Sequence, residues 1–178
     1  MRNDLLFWID CEMSGLDPRN DRLLECAAII TDNNLSVIAT SKEWIIHQSQ
    51  EILDGMNEWN RDQHKKSGLI DAVIQSNMDE RAVEDDLLIF FQTYCKQGSA
   101  PICGNSIYQD RLFLRLYMPR LDAYAHYRTI DVSSVKELAQ RWYPHLAKYH
   151  KNKIHRALDD ILESIEELRF YRDHIFKQ

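Results

Sequence analysis

Basic residues are in the minority in this chain. Lysine and arginine total 22 against 28 aspartates and glutamates, a formal net charge of −6. A protein that tracks long nucleic acid through a broad electrostatic surface needs the opposite balance. That class is excluded, whereas a short anionic substrate held through bound cations and a few local basic groups is not. Cysteine is sparse too. Cys11, Cys26, Cys95 and Cys103 form no C-x-x-C pair, which argues against a disulfide framework or a zinc ribbon. They read as small core residues in a reducing compartment. With five glycines and four prolines there is little material for disordered linkers. No apolar run approaches the roughly 18 residues of a membrane span. The first residues show no cationic segment leading into an apolar run and a cleavage site, so the expectation is a cytosolic protein without a membrane anchor. Internal repeats and low-complexity tracts are also missing.

What is present is an ordinary globular composition, 44% hydrophobic and 28% charged over 178 residues. It suggests a single domain covering 1–178 with a full core. Segments 5–11, 24–32 and 36–46 are rich in Ile, Val, Leu, Ala and Trp and read as three consecutive strands. Asp32-Asn33-Asn34 forms the turn between the second and third, so the strands should be antiparallel. A helix is expected over 51–63, punctuated by Ser67-Gly68. The clearest helix is 79–96, where Val83, Leu87, Phe90, Phe91 and Tyr94 form one stripe. The acids of its first turns suit the helix dipole and need no metal. A short strand at 101–104 leads to Asn105 as the N-cap of a helix that Pro119 ends. A strand at 129–132 precedes a Ser134-x-x-Glu137 capping box and a helix that Pro144 stops. A last helix covers 155–176. Strands alternating with helices in the second half imply an α/β fold, a mixed sheet covered by helices.

The chemistry centres on Phe7-Trp8-Ile9-Asp10-Cys11-Glu12. On a strand, the period of two puts Asp10 and Glu12 on one face at its C-terminal end. Paired carboxylates repel and stay ionised at neutral pH if a cation lies between them. Oxygen-only ligands suit Mg²⁺ or Mn²⁺. Two solvated acids at a strand end would be the blander explanation. Asp110 shares a helix face with Phe113, Leu114 and Tyr117 and needs a partner if buried, either a metal or Arg111 or Arg115. His155 and Asp160 open the last helix at a spacing that does not share a face, with Asp159 as the rival at i+4, and the helical wheel does not choose between the two acids.

Asp10-x-Glu12, Asn105-Ser-Ile-Tyr-Gln-Asp110 and His155-x4-Asp160 resemble, in order, the three motifs of the DEDDh exonucleases. The stretches WIDCEMSGL, CGNSIYQDR, HYRTIDVSSVKEL and HRALDDILESIEEL are similar to the oligoribonucleases within that superfamily, and the likeness runs over almost the whole chain. Leu112 departs from the basic residue expected after Asp110-Arg111. The H-x4-D spacing of the family selects Asp160. The resemblance implies a ribonuclease H-like sheet, three antiparallel strands followed by strand–helix units. It also implies that Asp10, Glu12, Asp110 and Asp160 hold two divalent ions, Mg²⁺ or Mn²⁺. His155 would be the general base. The reaction would be 3′→5′ hydrolysis of short RNA, dinucleotides above all, to 5′-mononucleotides.

For the substrate, the resemblance assigns base contacts to Leu16 and Trp59. It assigns a cap on the 5′ phosphate to Ser106, Arg128 and Ser133, and gives Tyr127 and His64 as residues delivered by the second subunit of a homodimer. Without it, Leu16, Trp59 and Tyr127 are ordinary packing residues. A zinc site at His145, His150 and His155 is disfavoured by the spacing and the absence of a nearby cysteine. Lys148, Lys151 and Lys153 suit a loop that draws in an anion. The competing readings are a DEDDh enzyme for another substrate, such as a DNA proofreader or a tRNA trimmer, and a catalytically dead nuclease fold that binds. Length, acidic charge and the HYR segment weigh against the first. The complete set of four acids and a histidine weighs against the second.

Overall fold

The computed structural model describes residues 4–146, 148–149 and 156–176. Strand β1 (Leu5–Met13) is the centre of a six-stranded mixed sheet. It pairs antiparallel with β2 (Leu23–Asp32), with Asp10 opposite Ala27, Cys11 opposite Cys26 and Glu12 opposite Glu25. β3 (Val37–Thr40) and β4 (Trp44–Ile45) both pair antiparallel with β2. β5 (Pro101–Gly104) lies parallel to β1 on its other side, and β6 (His126–Asp131) lies parallel to β5 as the outer edge. The path is β3-β2-β1-β5-β6, as expected of three antiparallel strands followed by strand–helix units.

Alternation along β1 divides the core. Phe7, Ile9 and Cys11 face one layer, with Val83, Leu87 and Phe91 of α4 (Glu80–Tyr94) and Phe113 and Leu114 of α5 (Ile107–Tyr117). The Phe7 and Phe91 rings stack at 3.8 Å. Leu6 and Trp8 face the other layer, with Val132 and Ala139 of α7 (Val132–Trp142) and Ala157, Ile161 and Ile165 of α8 (Ala157–Ile175). The same alternation turns Asp10 and Glu12 toward the α8 side. Among the described residues, no helix is long and apolar enough to cross a membrane.

Several boundaries differ from expectation. The third strand breaks into β3 and β4 because Ser41 interrupts the ladder: its hydroxyl accepts the Ala28 N–H at 2.9 Å where a carbonyl would otherwise serve. The 51–63 helix is two helices, α1 (Gln50–Gly55) and α2 (Glu58–Lys66), because the Asn57 side chain caps the N–H of Asn60 and starts a new one. Gly68, at φ 76, ends α2 and opens α3 (Leu69–Gln75), a helix the sequence reading lacked. Pro119 ends α5 as expected and also serves as the first residue of a short α6 (Pro119–Tyr124). Ser134 and Glu137 make no capping box; α7 starts earlier, with Asp131 accepting the Ser133 N–H at 2.9 Å. The N-cap of α5 is Ser106 rather than Asn105, because the Asn105 amide is committed elsewhere: it donates to Ser164 Oγ at 2.9 Å and to Glu167 Oε2 at 3.1 Å.

Candidate active site

Three elements far apart in sequence meet at the C-terminal end of β1. Asp10 and Glu12 project from the strand and Asp160 from the first turn of α8, and each offers a carboxylate oxygen within 4.8 Å of the others. Asp159, its rival, is not in this group. Asp110 comes from the opposite layer, on α5, and is buried; its Oδ1 accepts the backbone N–H of Cys11 at 3.0 Å, between the two β1 acids. The ion pair that would otherwise account for Asp110 is not made. Arg111 and Arg115 both turn to Asp122, at 2.7 and 3.4 Å. The acids of α4 also have structural partners: Asp79 caps its helix, Glu84 and Asp85 bind Arg120, and Asp86 binds Lys42 and Trp44.

Burial pushes the Glu12 carboxyl up to about 8, helped by the charges of Asp160, Glu25 and Asp110 and opposed by Arg156. Burial likewise raises Asp110, while the Cys11 N–H pulls it back. Acids held this close in a partly dry site keep a proton unless a cation replaces it. The donor set is oxygen only, and it fits a hard divalent ion. No other group of three or more such ligands occurs among the described residues.

A cavity of about 120 Å³ opens beside Glu12, walled by Leu16 and Trp59, with Asn60 and His64 behind them. Leu16 is 72% and Trp59 63% exposed, unusual for large apolar side chains. The Leu16 loop is held from several sides. Gln109 Nε2 donates to the Leu16 carbonyl at 2.6 Å, and Asn60 Nδ2 to the Ser14 carbonyl at 2.9 Å. The Asp21 carboxylate accepts from the Ser14 hydroxyl and the Asp17 N–H, both at 3.0 Å. A Cβ on Gly15 would meet that carboxylate at 2.3 Å, so any side chain there would have to displace Asp21 from these bonds. Asp21, Asn60 and Gln109 are supports the sequence reading missed; nothing in their local pattern marks them.

His64 is buried on α2, with Nε2 3.0 Å from the Met13 carbonyl and Nδ1 3.9 Å from Glu12, so within a single chain it stands beside the β1 acids. Ser106 and Ser133 are brought together, their hydroxyls 3.1 Å apart, and the Ser106 N–H donates to both Asp131 Oδ1 and Ser133 Oγ at 3.0 Å. Ser106 sits at φ 49, a left-handed conformation that this pair of acceptors holds in place. Arg128 lies on the exposed edge strand β6, with its guanidinium 5.1 Å from the Tyr127 ring centroid, and Tyr127 is 71% exposed. His145 and Lys148 are exposed. His150, Lys151, Lys153 and His155, the expected base among them, lie outside the described residues.

A mixed sheet with acids gathered at the end of its central strand, backed by an acid from each flanking helix layer, is a frame suited to holding divalent ions for hydrolysis of a phosphodiester. The RNase_T exonuclease family matches residues 7–168. Among solved structures, the zinc-bound Exonuclease I–ssDNA complex of E. coli shares this fold with a TM-score of 0.75 at 16% identity, over 98% of this chain and 41% of that one. Exonuclease I from Methylocaldum szegediense gives a TM-score of 0.72 at 17% identity, over 97% of this chain and 41% of that one. The chain thus spans about 41% of the length of those enzymes, and at such identities the likeness concerns the fold.

Relatives similar over most of their length are more specific. The oligoribonuclease of Chromobacterium violaceum is 51% identical over 97% of this chain and 96% of its own. That of Neisseria meningitidis serogroup A is 52% identical over 95% and 91%. A probable oligoribonuclease of Caenorhabditis elegans is 48% identical over 96% and 89%. This chain belongs to the oligoribonuclease family.

Proposed function

We propose that the whole chain acts as one 3′→5′ exoribonuclease domain that hydrolyses short RNA, with dinucleotides preferred, to 5′-mononucleotides. The observation that carries this reading is the meeting of Asp10, Glu12 and Asp160 within 4.8 Å at the mouth of a cleft lined by exposed Leu16 and Trp59. Asp10, Glu12, Asp110 and Asp160 would hold two divalent ions, Mg²⁺ or Mn²⁺. Such ions, when bound, activate the attacking water and stabilise the leaving 3′ oxygen.

The side chains do the rest. His155 takes the proton of the water as general base, a task its ordinary pKa near 6.5 suits at neutral pH. Leu16 packs on or between bases and Trp59 stacks on one, a contact worth about 1–3 kcal/mol. Ser106 and Ser133 offer paired hydroxyls to the 5′ phosphate, and Arg128 grips it with two charged hydrogen bonds. Such a cap would close the site to longer chains.

A homodimer is part of the proposal. Tyr108, Leu112 and Leu116 expose an apolar stripe on α5 beside Tyr127 and edge strand β6. That is the kind of surface a second copy covers. Leu112, the departure from the family pattern, belongs to this stripe. Tyr127 would then reach the partner's cleft. Four buried free thiols suit a reducing cytoplasm.

The test is single-turnover cleavage, with Mn²⁺ present, of 5′-phosphorylated RNAs from two to seven nucleotides. A sharp preference for the dinucleotide is expected. Equal rates at every length would keep the exonuclease and remove the cap. No cleavage at any length by the folded, metal-loaded protein would leave a binding module.

A further inference from the structure

Glu25 and Arg156 stand apart from the residues discussed so far. Glu25 is fully buried near the start of β2, directly across the ladder from Glu12. A carboxylate there is tolerated only if it is paired and hydrogen-bonded. Arg156 supplies that pairing from 131 residues away. Its Nε lies 3.1 and 3.2 Å from the two Glu25 oxygens, and its Nη2 lies 2.9 Å from Oε1. The same Nη2 reaches Glu43 at 2.7 Å.

Arg156 is also the N-cap of α8. Helices α1, α2, α4 and α7 each begin with a side chain that accepts a backbone N–H of the first turn; α8, like α3, α5 and α6, has no such cap. The Arg156 carbonyl accepts the N–H of Asp160 at 3.0 Å. The start of α8 is thus fixed from outside the helix, by the grip of Glu25 on Arg156. Two acids of the candidate site are thereby joined through one ion pair: Glu12 lies opposite Glu25, Glu25 holds Arg156, and the Arg156 backbone holds Asp160.

We propose that Arg156 and Glu25 form a positioning clamp that sets Asp160 at the metal-holding distance from Asp10 and Glu12. The inference rests on the reading of these acids as metal ligands. Arg156 has a second duty at the same place. Glu12, Glu25, Glu43, Asp159 and Asp160 crowd the junction of β1, β2 and α8. Its guanidinium is the cation that keeps their repulsion from lifting α8 off the sheet before an ion is bound. A lysine preserves the charge but lacks the planar fork.

The experiment compares wild type with Arg156→Lys and with the double variant Glu25→Gln/Arg156→Met, which removes both charges and strands neither. Melting temperature, Mn²⁺ binding by electron paramagnetic resonance without substrate, and single-turnover cleavage of a dinucleotide are measured. Both variants are expected to stay folded and to lose about 10–100-fold in Mn²⁺ affinity and in rate, the usual effect of removing a group that orients a metal ligand. Wild-type affinity and rate in a folded double variant would overturn the clamp. Should the double variant fail to fold, Arg156→Lys decides by the same two readouts. A wild-type protein that takes up no Mn²⁺ would sink the metal reading and the clamp with it. Uptake that is equal in all three proteins would sink the clamp alone.

Discussion

The backbone N–H of Cys11 donates to the Asp110 carboxylate at 3.0 Å, tying helix α5 to the strand position between Asp10 and Glu12. An asparagine at 110 keeps an oxygen for this bond and gives up the charge. Asp110→Asn is therefore expected to fold and melt like wild type and to show no hydrolysis of dinucleotide RNA. Near wild-type turnover would remove Asp110 from the metal-holding set.

The raised carboxyl of Glu12 predicts a pH dependence in the metal-free protein. Its value rises from an ordinary 4.5 to about 8 on folding, so the native state binds a proton that the unfolded chain releases. This contribution to stability is complete below 4.5 and is lost as pH climbs through about 8. The melting temperature of the metal-free protein should fall over that interval. A divalent ion replaces the proton, so Mn²⁺ affinity should rise over the same range with proton release on binding. Calorimetry in buffers of different ionisation enthalpy measures both; binding without proton release would contradict the assignment.

Trp59→Ala and Leu16→Ala act on exposed side chains, and neither should change the melting temperature by more than a degree or two. Loss of a stacked base costs about 1–3 kcal/mol. Affinity for a non-hydrolysable dinucleotide should therefore fall by roughly 5–150-fold in Trp59→Ala. Unchanged affinity would return both residues to the status of solvent-exposed hydrophobics.

Arg128→Ala should hurt dinucleotides that carry a 5′ phosphate far more than those without one, because the proposed forked contact to that group would be lost. Rates for the two substrates, measured side by side, give the ratio directly. An equal loss on both would take Arg128 out of the cap.

Tyr127 allows a test of shared sites. Tyr127→Ala and Asp110→Asn should each be weakly active or inactive alone. In a mixed dimer of the proposed kind, the subunit with intact acids would receive Tyr127 from its partner, and activity should return on mixing. No recovery after subunit exchange would place Tyr127 outside the partner's cleft.

Much of the frame was legible because it rests on local period. The alternation of β1, the apolar stripe of α4 and the burial of the Asp110 face each follow from a few neighbouring residues. Where a side chain decides a boundary, the pattern was silent. Ser41 splits a strand with its hydroxyl, Asn57 splits a helix with its amide, and Asp131 starts α7 ahead of a plausible capping box. Long-range pairs were harder still. Glu25 reads as one acid in an apolar strand and Arg156 as one base at the start of the last helix, and only the fold brings them together. Helical geometry alone left Asp159 and Asp160 level, because both lie off the apolar stripe of α8; the tertiary docking of that helix separates them. His64, on a separate helix, comes within 3.9 Å of Glu12, another approach that no local pattern marks.

The carboxylates at positions 10, 12 and 160 are drawn from the first strand and the last helix. A ribosome makes the chain from its N-terminus, so β1 and the rest of the sheet emerge well before α8 does. Throughout that interval the nascent protein holds two of these three acids and lacks the third. A site that needs all three acids can therefore form only after α8 has been made and has docked on the sheet.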